Sequence, residues 1–463
     1  MSNNTLNALP RNLYPVLDPS VKLHCAPTLG FLSSDSRVVP SHVPSGIARI
    51  LSRCDGTRTF GQILEEYIRG EHSGETDTDR METLVHLAWY IRDELITLNE
   101  TATKVTPNTT GSFDLFYPTS LQVELTTKCN LNCSYCYRNA GPGADHLTTD
   151  TQQLLSTLSS LAQNGLQSVE LTGGEPMMHP DFDEIAAFCC EQLALVGILT
   201  NGTLLTSQRL EKLKPYREKL IFSISLDSHI ASEHNRRRGG KNAFERTTEG
   251  IRLLKKEGFL TRVSMSVDES NWSHLEPTLL LARELGADLF TYSPILPFGR
   301  AGTAFKRWNH NAREVLETEQ KLQEQYSDFL HLFSEGTLTK VSQPGGCGAG
   351  WRVYAMDPDG NVRPCVTFDE DQGIFGSLYN QDEKEVFGSG LARSFSRLSP
   401  PEPGICQSCP WAAFCQHCSL RGAIAAQWIG EENCRWLQQE ESARWYEQIK
   451  TDFLRYRSPE KVR

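Results

Sequence analysis

The sequence predicts an α/β protein: a partial (β/α)6 barrel, preceded by a winged-helix-like α+β domain and followed by a cysteine-rich domain. Three observations carry this reading. Strand and helix signals alternate six times between residues 119 and 300, the pattern of βα units on a parallel sheet. A self-contained pattern of short strands and three helices comes before them. Of the 14 Cys, three then fall together just after the first barrel strand and seven fall between residues 347 and 434.

The front domain is expected over residues 1–100. Short strand-like runs at Val21-Lys22-Leu23 and Arg37-Val38-Val39 precede a helix after Ser45 that carries Ile47, Ile50 and Leu51 on one face. Cys54-Asp55-Gly56 turns the chain, and Thr59 with Gln62 makes a capping box for a second helix with Ile63, Leu64, Tyr67 and Ile68 inward. A third helix is expected from Asp79 to Leu95. Residues 101–117 are polar and Thr-rich and read as a linker.

The barrel is expected over 118–335, with strands at 121–125, 168–171, 196–199, 220–226, 262–267 and 288–292. The first intervening helix is expected to be capped by Thr149 and Gln152, with Leu154, Leu155, Leu158 and Leu161 on one side, and to end at Gly165. A polar helical connection follows at 305–335. From 336 to 440, Cys, Gly and Pro punctuate a weakly periodic chain whose order is expected to come from bound metal. Residues 441–463 read as a C-terminal helix and tail.

The net charge of −11 argues against nucleic acid or anionic membrane as the main partner. No stretch reaches the about 18 apolar residues that a span requires. With no secretory signal, a cytoplasmic location is expected, and clustered Cys there read as metal or iron–sulfur ligands before disulfides. Cys25, Cys54, Cys189 and Cys190 lack such spacing and read as inert thiols.

Cys129-x3-Cys133-x2-Cys136 leaves the first strand at the carboxyl end of a parallel barrel, where barrel enzymes place their chemistry. Three thiolates can hold three irons of a [4Fe–4S] cluster and leave the fourth open; a zinc site is the plainer alternative. With Tyr135 before the last Cys, the run resembles the signature of radical S-adenosylmethionine (SAM) enzymes. The resemblance implies that SAM chelates the open iron and is reductively cleaved to a 5′-deoxyadenosyl radical. It extends to Gly173-Gly174-Glu175, implied to bind the methionine ammonium, with the bare glycine backbone admitting the ligand closely. It also takes in Asn201 of Thr-Asn-Gly at the site rim, Ser225 toward the ribose, and Arg238 of the Arg236-Arg237-Arg238 run for the carboxylate. A solvated charge run is the competing reading of those arginines.

The seven later Cys resemble the SPASM extension, which carries two auxiliary [4Fe–4S] clusters. Asp359-Gly360 reads as a two-residue hairpin turn bringing Cys347 and Cys365 together. By resemblance Cys347, Cys365 and Cys418 serve one cluster, and Cys406, Cys409, Cys415 and Cys434 the other. Seven thiolates leave one iron without a Cys. Only two residues separate Cys415 from Cys418 where the family has three, which leaves the pairing open. Asp357, Asp359, Asp369, Glu370 and Asp371 lie near this region, and none is singled out as a base.

The Asp55-Gly56-Thr57-Arg58-Thr59 turn is similar to PqqD-like domains, which bind the leader of a precursor peptide as an added strand. Together the resemblances imply a maturase of ribosomally made peptides (RiPPs) that installs a thioether, carbon–carbon or ether cross-link, fed by a flavodoxin or ferredoxin. A side-chain oxidase resembling sulfatase maturases and a zinc-bearing scaffold are the alternatives.

Overall fold

The computed structural model describes residues 10–34, 42–70, 83, 87, 95–143, 146–304, 312–330, 347–368, 372–402, 404–406, 409–415 and 418–453. They form two compact units: residues up to Tyr117 with Gln163–Gly165, and the remainder from Pro118 onward.

In the first unit β1 (Tyr14–Leu17) pairs antiparallel with β5 (Ile96–Asn99). A second sheet has the order β4-β3-β2-β6, from β2 (Val21–Cys25), β3 (Leu29–Ser34), β4 (Val43–Pro44) and β6 (Asn108–Gly111). Helices Ser45–Leu51 and Phe60–Arg69 cover it through Ile47, Ile50, Leu51, Phe60, Ile63, Leu64 and Tyr67, all buried with Leu23 in one core. The Thr59–Gln62 capping box forms as its sequence predicts. Ile68, expected inward, is 44% exposed, because it falls one step past the buried stripe. The strand expected at 37–39 lies outside the described residues, as does the third helix apart from Thr83 and Leu87, which are helical and buried, and Leu95, which is a buried bend residue before β5 and not helical as expected.

The expected linker is corrected: β6 runs through it, parallel to β2 with Lys22 opposite Asn108. Thr103 and Val105 also donate backbone hydrogen bonds to Gly56 and Asp55. This strand is polar and largely exposed, so it lacks the apolar alternation that marks a strand in sequence.

The second unit is built on six parallel strands: β7 (Ser120–Thr126), β8 (Ser168–Gly173), β9 (Leu195–Thr200), β10 (Leu220–Ser225), β11 (Leu260–Val267) and β12 (Leu289–Pro294). Each pairs with the next in chain order. Val123, Leu171, Ile198, Ile224, Val263 and Phe290 are buried, one from each strand. Gln122, Glu170, Arg262 and Ser223 bridge neighbouring strands through side-chain hydrogen bonds, with Gln122 2.8 Å from Glu170 and Arg262 3.0 Å from Ser223. Helix Thr151–Gln163 buries Leu154, Leu158 and Leu161. Its cap is Asp150, whose carboxylate accepts from Gln153 N at 2.9 Å; Thr149, the expected cap, instead meets Tyr379.

The cysteine-rich segment is not a separate layer. Its strand β13 (Val353–Met356) lies parallel beside β7, and β14 (Asn361–Arg363) and β15 (Gly376–Ser377) continue the sheet antiparallel. The hairpin between β13 and β14 is longer than the two-residue turn expected. Asp357 N donates to Asn361 O, and Gly360 closes the loop at φ +79°. Asp357 caps this loop, accepting from the backbone of Asp359 and Asn361, so it is a structural carboxylate. The acids at 369–371 lie outside the described residues. Helix Glu440–Phe453 ends the described chain.

Candidate radical centre and auxiliary cysteine sites

All the motif residues of the barrel sit at the carboxyl ends of its strands. The loop leaving β7 carries Cys129, Cys133 and Cys136, and its neighbours bind it through their backbones. Gly174 N donates to Thr126 O at 2.7 Å and Glu175 N to Lys128 O at 2.8 Å. A Cβ on Gly173 would stand 2.4 Å from Thr126 O, and one on Gly174 2.3 Å from Lys128 O. These glycines therefore also answer to close backbone packing beneath the cysteine loop. Gly174→Ala is expected to cost about 1–3 kcal/mol by overpacking. The check is a lower thermal midpoint with depleted iron after reconstitution.

Two further elements hold the loop. Asn132 N and Ser134 N donate to Arg238 O and Arg237 O at 3.2 and 2.9 Å. From the exit of β12, Arg300 donates to Cys133 O and Ala140 O, both at 2.7 Å, while its backbone N reaches Cys136 O. Arg300 was missed in the sequence, where it stands in an unremarkable Phe-Gly-Arg stretch.

The three thiols are free and adjacent enough to influence one another electrostatically. Burial pushes Cys129 up to about 12, with Glu175 and the other two sulfurs adding to it. Cys129 is thus protonated at neutral pH, and metal loading must displace its proton. Among the described residues no three His, Cys, Asp or Glu side chains converge on a point that could hold a single ion. Three free thiols on one loop are a soft donor set that fits three irons of a [4Fe–4S] cluster.

The arginine run divides. Arg236 is exposed and pairs with Glu233, whereas Arg237 and Arg238 are buried. Arg237 holds Asp268, Ser270 and Ser266 O. Arg238 clamps Asp227 through Nε at 2.8 Å and Nη2 at 3.1 Å, with Nη1 3.9 Å from Cys133 Sγ. The Tyr135 hydroxyl also donates to Asp227, and both guanidiniums lie over the Tyr135 ring. Burial alone would raise the Asp227 carboxyl; Arg238, Arg237 and His234 hold it below the usual range. Ser225, the last residue of β10, is half-buried two positions before this aspartate.

Two of the expected ligand residues are also tied into the fold. Glu175 is fully buried: Oε1 accepts from Thr200 Oγ1 at 2.7 Å and Met177 N at 3.2 Å, and Oε2 from Asn201 N at 2.9 Å. Its carboxylate braces the Thr200–Thr203 turn. Asn201 in turn donates to Asn130 Oδ1 at 3.0 Å and accepts from Thr203, whose Oγ1 receives Asn130 Nδ2 at 2.8 Å. The rim turn is thereby tied to the residue after Cys129.

Glu124, on β7, is the other residue that sequence reasoning missed. It is buried with Arg138, two residues past Cys136, and Arg363, two before Cys365. Its Oε2 receives Arg138 at 2.5 Å and Arg363 at 2.7 Å. One carboxylate thus joins both cysteine loops. Its sequence signal was an acid between the apolar Val123 and Leu125 of a strand.

The later thiols separate into two cavities. Cys347, Cys365 and Cys418 line one of about 50 Å³ with Thr367 and Ser419, while Cys406, Cys409, Cys415 and Cys434 line one of about 370 Å³. Burial pushes Cys365 up to about 11 and raises Cys415 further. Cys418 N donates to Cys415 O, and the two residues line different cavities despite the short spacing.

Residues 123–282 match the radical SAM superfamily and residues 347–410 the SPASM iron–sulfur cluster-binding domain. The antilisterial bacteriocin subtilosin biosynthesis protein AlbA of Bacillus subtilis is 30% identical over 450 residues, 93% of this chain and 97% of that protein. The AdoMet-dependent heme synthase of Methanosarcina barkeri is 31% identical over 68% of this chain and 95% of its own. The crystal structure of Streptococcus suis SuiB superposes with a TM-score of 0.58 at 16% identity, over 89% of this chain and 96% of that one. The chain belongs to the radical SAM superfamily of enzymes, in its SPASM-bearing branch. Its cofactors are SAM and [4Fe–4S] clusters, the SPASM segment carrying the auxiliary ones. Among the described residues no helix is long and apolar enough to cross a membrane.

Proposed function

We propose that the protein is a cytoplasmic RiPP maturase that cross-links a leader-bearing precursor peptide. The observation that carries this is the extent of the likeness to AlbA, a bacteriocin biosynthesis protein, which spans 93% of this chain and so takes in the front unit. The heme synthase match covers 68% of this chain, too little for both units.

In this reading Cys129, Cys133 and Cys136 hold the cluster that binds SAM. Tyr135, Gly173, Gly174, Ser225 and Arg238 form the cofactor's surroundings, and Glu175 and Asn201 fix their backbone. Cluster and SAM, when bound, supply a 5′-deoxyadenosyl radical that takes hydrogen from the peptide. Cys347, Cys365 and Cys418 hold one auxiliary cluster and Cys406, Cys409, Cys415 and Cys434 the other, toward which the substrate's surplus electron passes. The front unit, read as PqqD-like, takes the leader by strand addition, and SuiB has been crystallised bound to its precursor peptide SuiA. A thioether, carbon–carbon or ether link each removes two hydrogens from the peptide.

Mass spectrometry of a precursor peptide treated with the reconstituted enzyme, SAM and reductant tests this. The expected product has lost two hydrogens per link and resists fragmentation between the joined residues, and leader removal slows its formation at least about tenfold. A product that has lost two hydrogens at one residue and fragments normally would instead support the side-chain oxidase reading.

A further inference from the structure

The barrel exterior carries a groove beside the rim turn, lined by Thr203, Thr206 and, from helix Ala243–Lys256, by Arg246, Arg252 and Lys256, with a volume of about 540 Å³. Glu249 also faces it, so the side chains lining the groove carry a net charge of +2 in a protein of net charge −11.

Several cations elsewhere on this exterior are neutralised locally. Lys212 and Arg209 pair with Asp183, Lys214 with Glu257, Lys255 with Asp288 and Arg283 with Asp328. Arg246, Arg252 and Lys256 are exposed, and among the described residues none of them pairs with a carboxylate. An unneutralised basic groove on an acidic protein attracts an acidic partner and steers its approach.

Its place says which partner. Thr203, on the groove's edge, accepts a 2.8 Å hydrogen bond from Asn130, whose backbone is joined to Cys129. One side chain and one peptide separate the groove from a thiol of the radical centre. A partner seated here has a short bonded path to that centre and leaves the strand ends open to substrate.

We propose that this groove docks a small acidic electron-transfer protein, which delivers single electrons to the first cysteine site along the Thr203–Asn130–Cys129 path. The proposal rests on the radical enzyme reading, in which an external one-electron donor is required. The electron lost by the donor's reduced flavin is the one gained at that site.

The test compares the wild type with Arg246→Glu/Arg252→Glu/Lys256→Glu and with the corresponding triple Gln variant, using flavodoxin as the probe. All three positions are exposed on a helix where Glu and Gln are good helix formers, and circular dichroism checks the fold. Flavodoxin affinity is expected to fall on the order of 10–100-fold in the Glu variant, less in the Gln variant, and to weaken with salt in the wild type. SAM cleavage driven by flavodoxin falls with it, while cleavage driven by dithionite stays at the wild-type rate. Unchanged flavodoxin affinity, or displacement of flavodoxin by precursor peptide at the groove, would overturn the docking site and leave the enzyme reading intact. Failure of dithionite to drive SAM cleavage in the wild type would remove both.

Discussion

Alanine at Cys129, Cys133 and Cys136 together is expected to bring 5′-deoxyadenosine formation to background, while the auxiliary thiols retain their iron. The two effects separate because the three thiols leave β7 in one loop, whereas the other seven line two cavities elsewhere in the unit. The loop itself should survive the substitution. It is held by Arg300, by the backbone of Arg237 and Arg238 and by the backbone at Gly174, none of which uses a cysteine side chain. Loss of turnover without a matching loss of fold is therefore the expected pattern, read by product chromatography alongside circular dichroism. Deoxyadenosine production retained in the triple variant would place the radical chemistry outside this loop.

Glu124→Ala is expected to destabilise the second unit by about 3–5 kcal/mol, since it leaves two buried guanidiniums without their shared carboxylate. Arg138 and Arg363 lie beside Cys136 and Cys365, so both loops should lose iron together. The triple variant Glu124→Leu/Arg138→Met/Arg363→Met removes all three charges, and replacement of a buried ionic group by apolar residues of similar volume is often neutral. It is expected to recover most of the thermal midpoint. Iron loss confined to one loop in Glu124→Ala would show that the carboxylate does not join them.

The barrel was legible because each of its strands is an apolar run bounded by turns and followed by an amphipathic helix. The front sheet was legible only at β2, where a strand was expected at Val21-Lys22-Leu23. Leu29–Ser34 carries Gly and Ser that read as loop, and Asn108–Gly111 is polar because it lies at a sheet edge. Parallel pairing of β13 with β7 joins residues 353–356 to 120–123, and no local pattern records a contact so distant in sequence. The candidate site divides in the same way. Its cysteines and glycines stand in short motifs with fixed spacing. The groups that hold them, Asp227, Arg300 and Glu124, are single charged residues whose meaning lies in partners that only the fold supplies. Thus the Glu175 carboxylate belonged to a motif, yet its direction, inward to Thr200 and Asn201, could be read only from the structure.

The most direct test of the central claim, a radical SAM centre with two auxiliary clusters on one chain, is the count of iron and acid-labile sulfide after anaerobic reconstitution. It is made on the wild type and on the Cys129/Cys133/Cys136 alanine variant. The account predicts about twelve irons per chain in the wild type and about eight in the variant, by four irons per cluster. About four irons in the wild type, absent from the variant and accompanied by zinc, would contradict the two auxiliary clusters and the electron path through them.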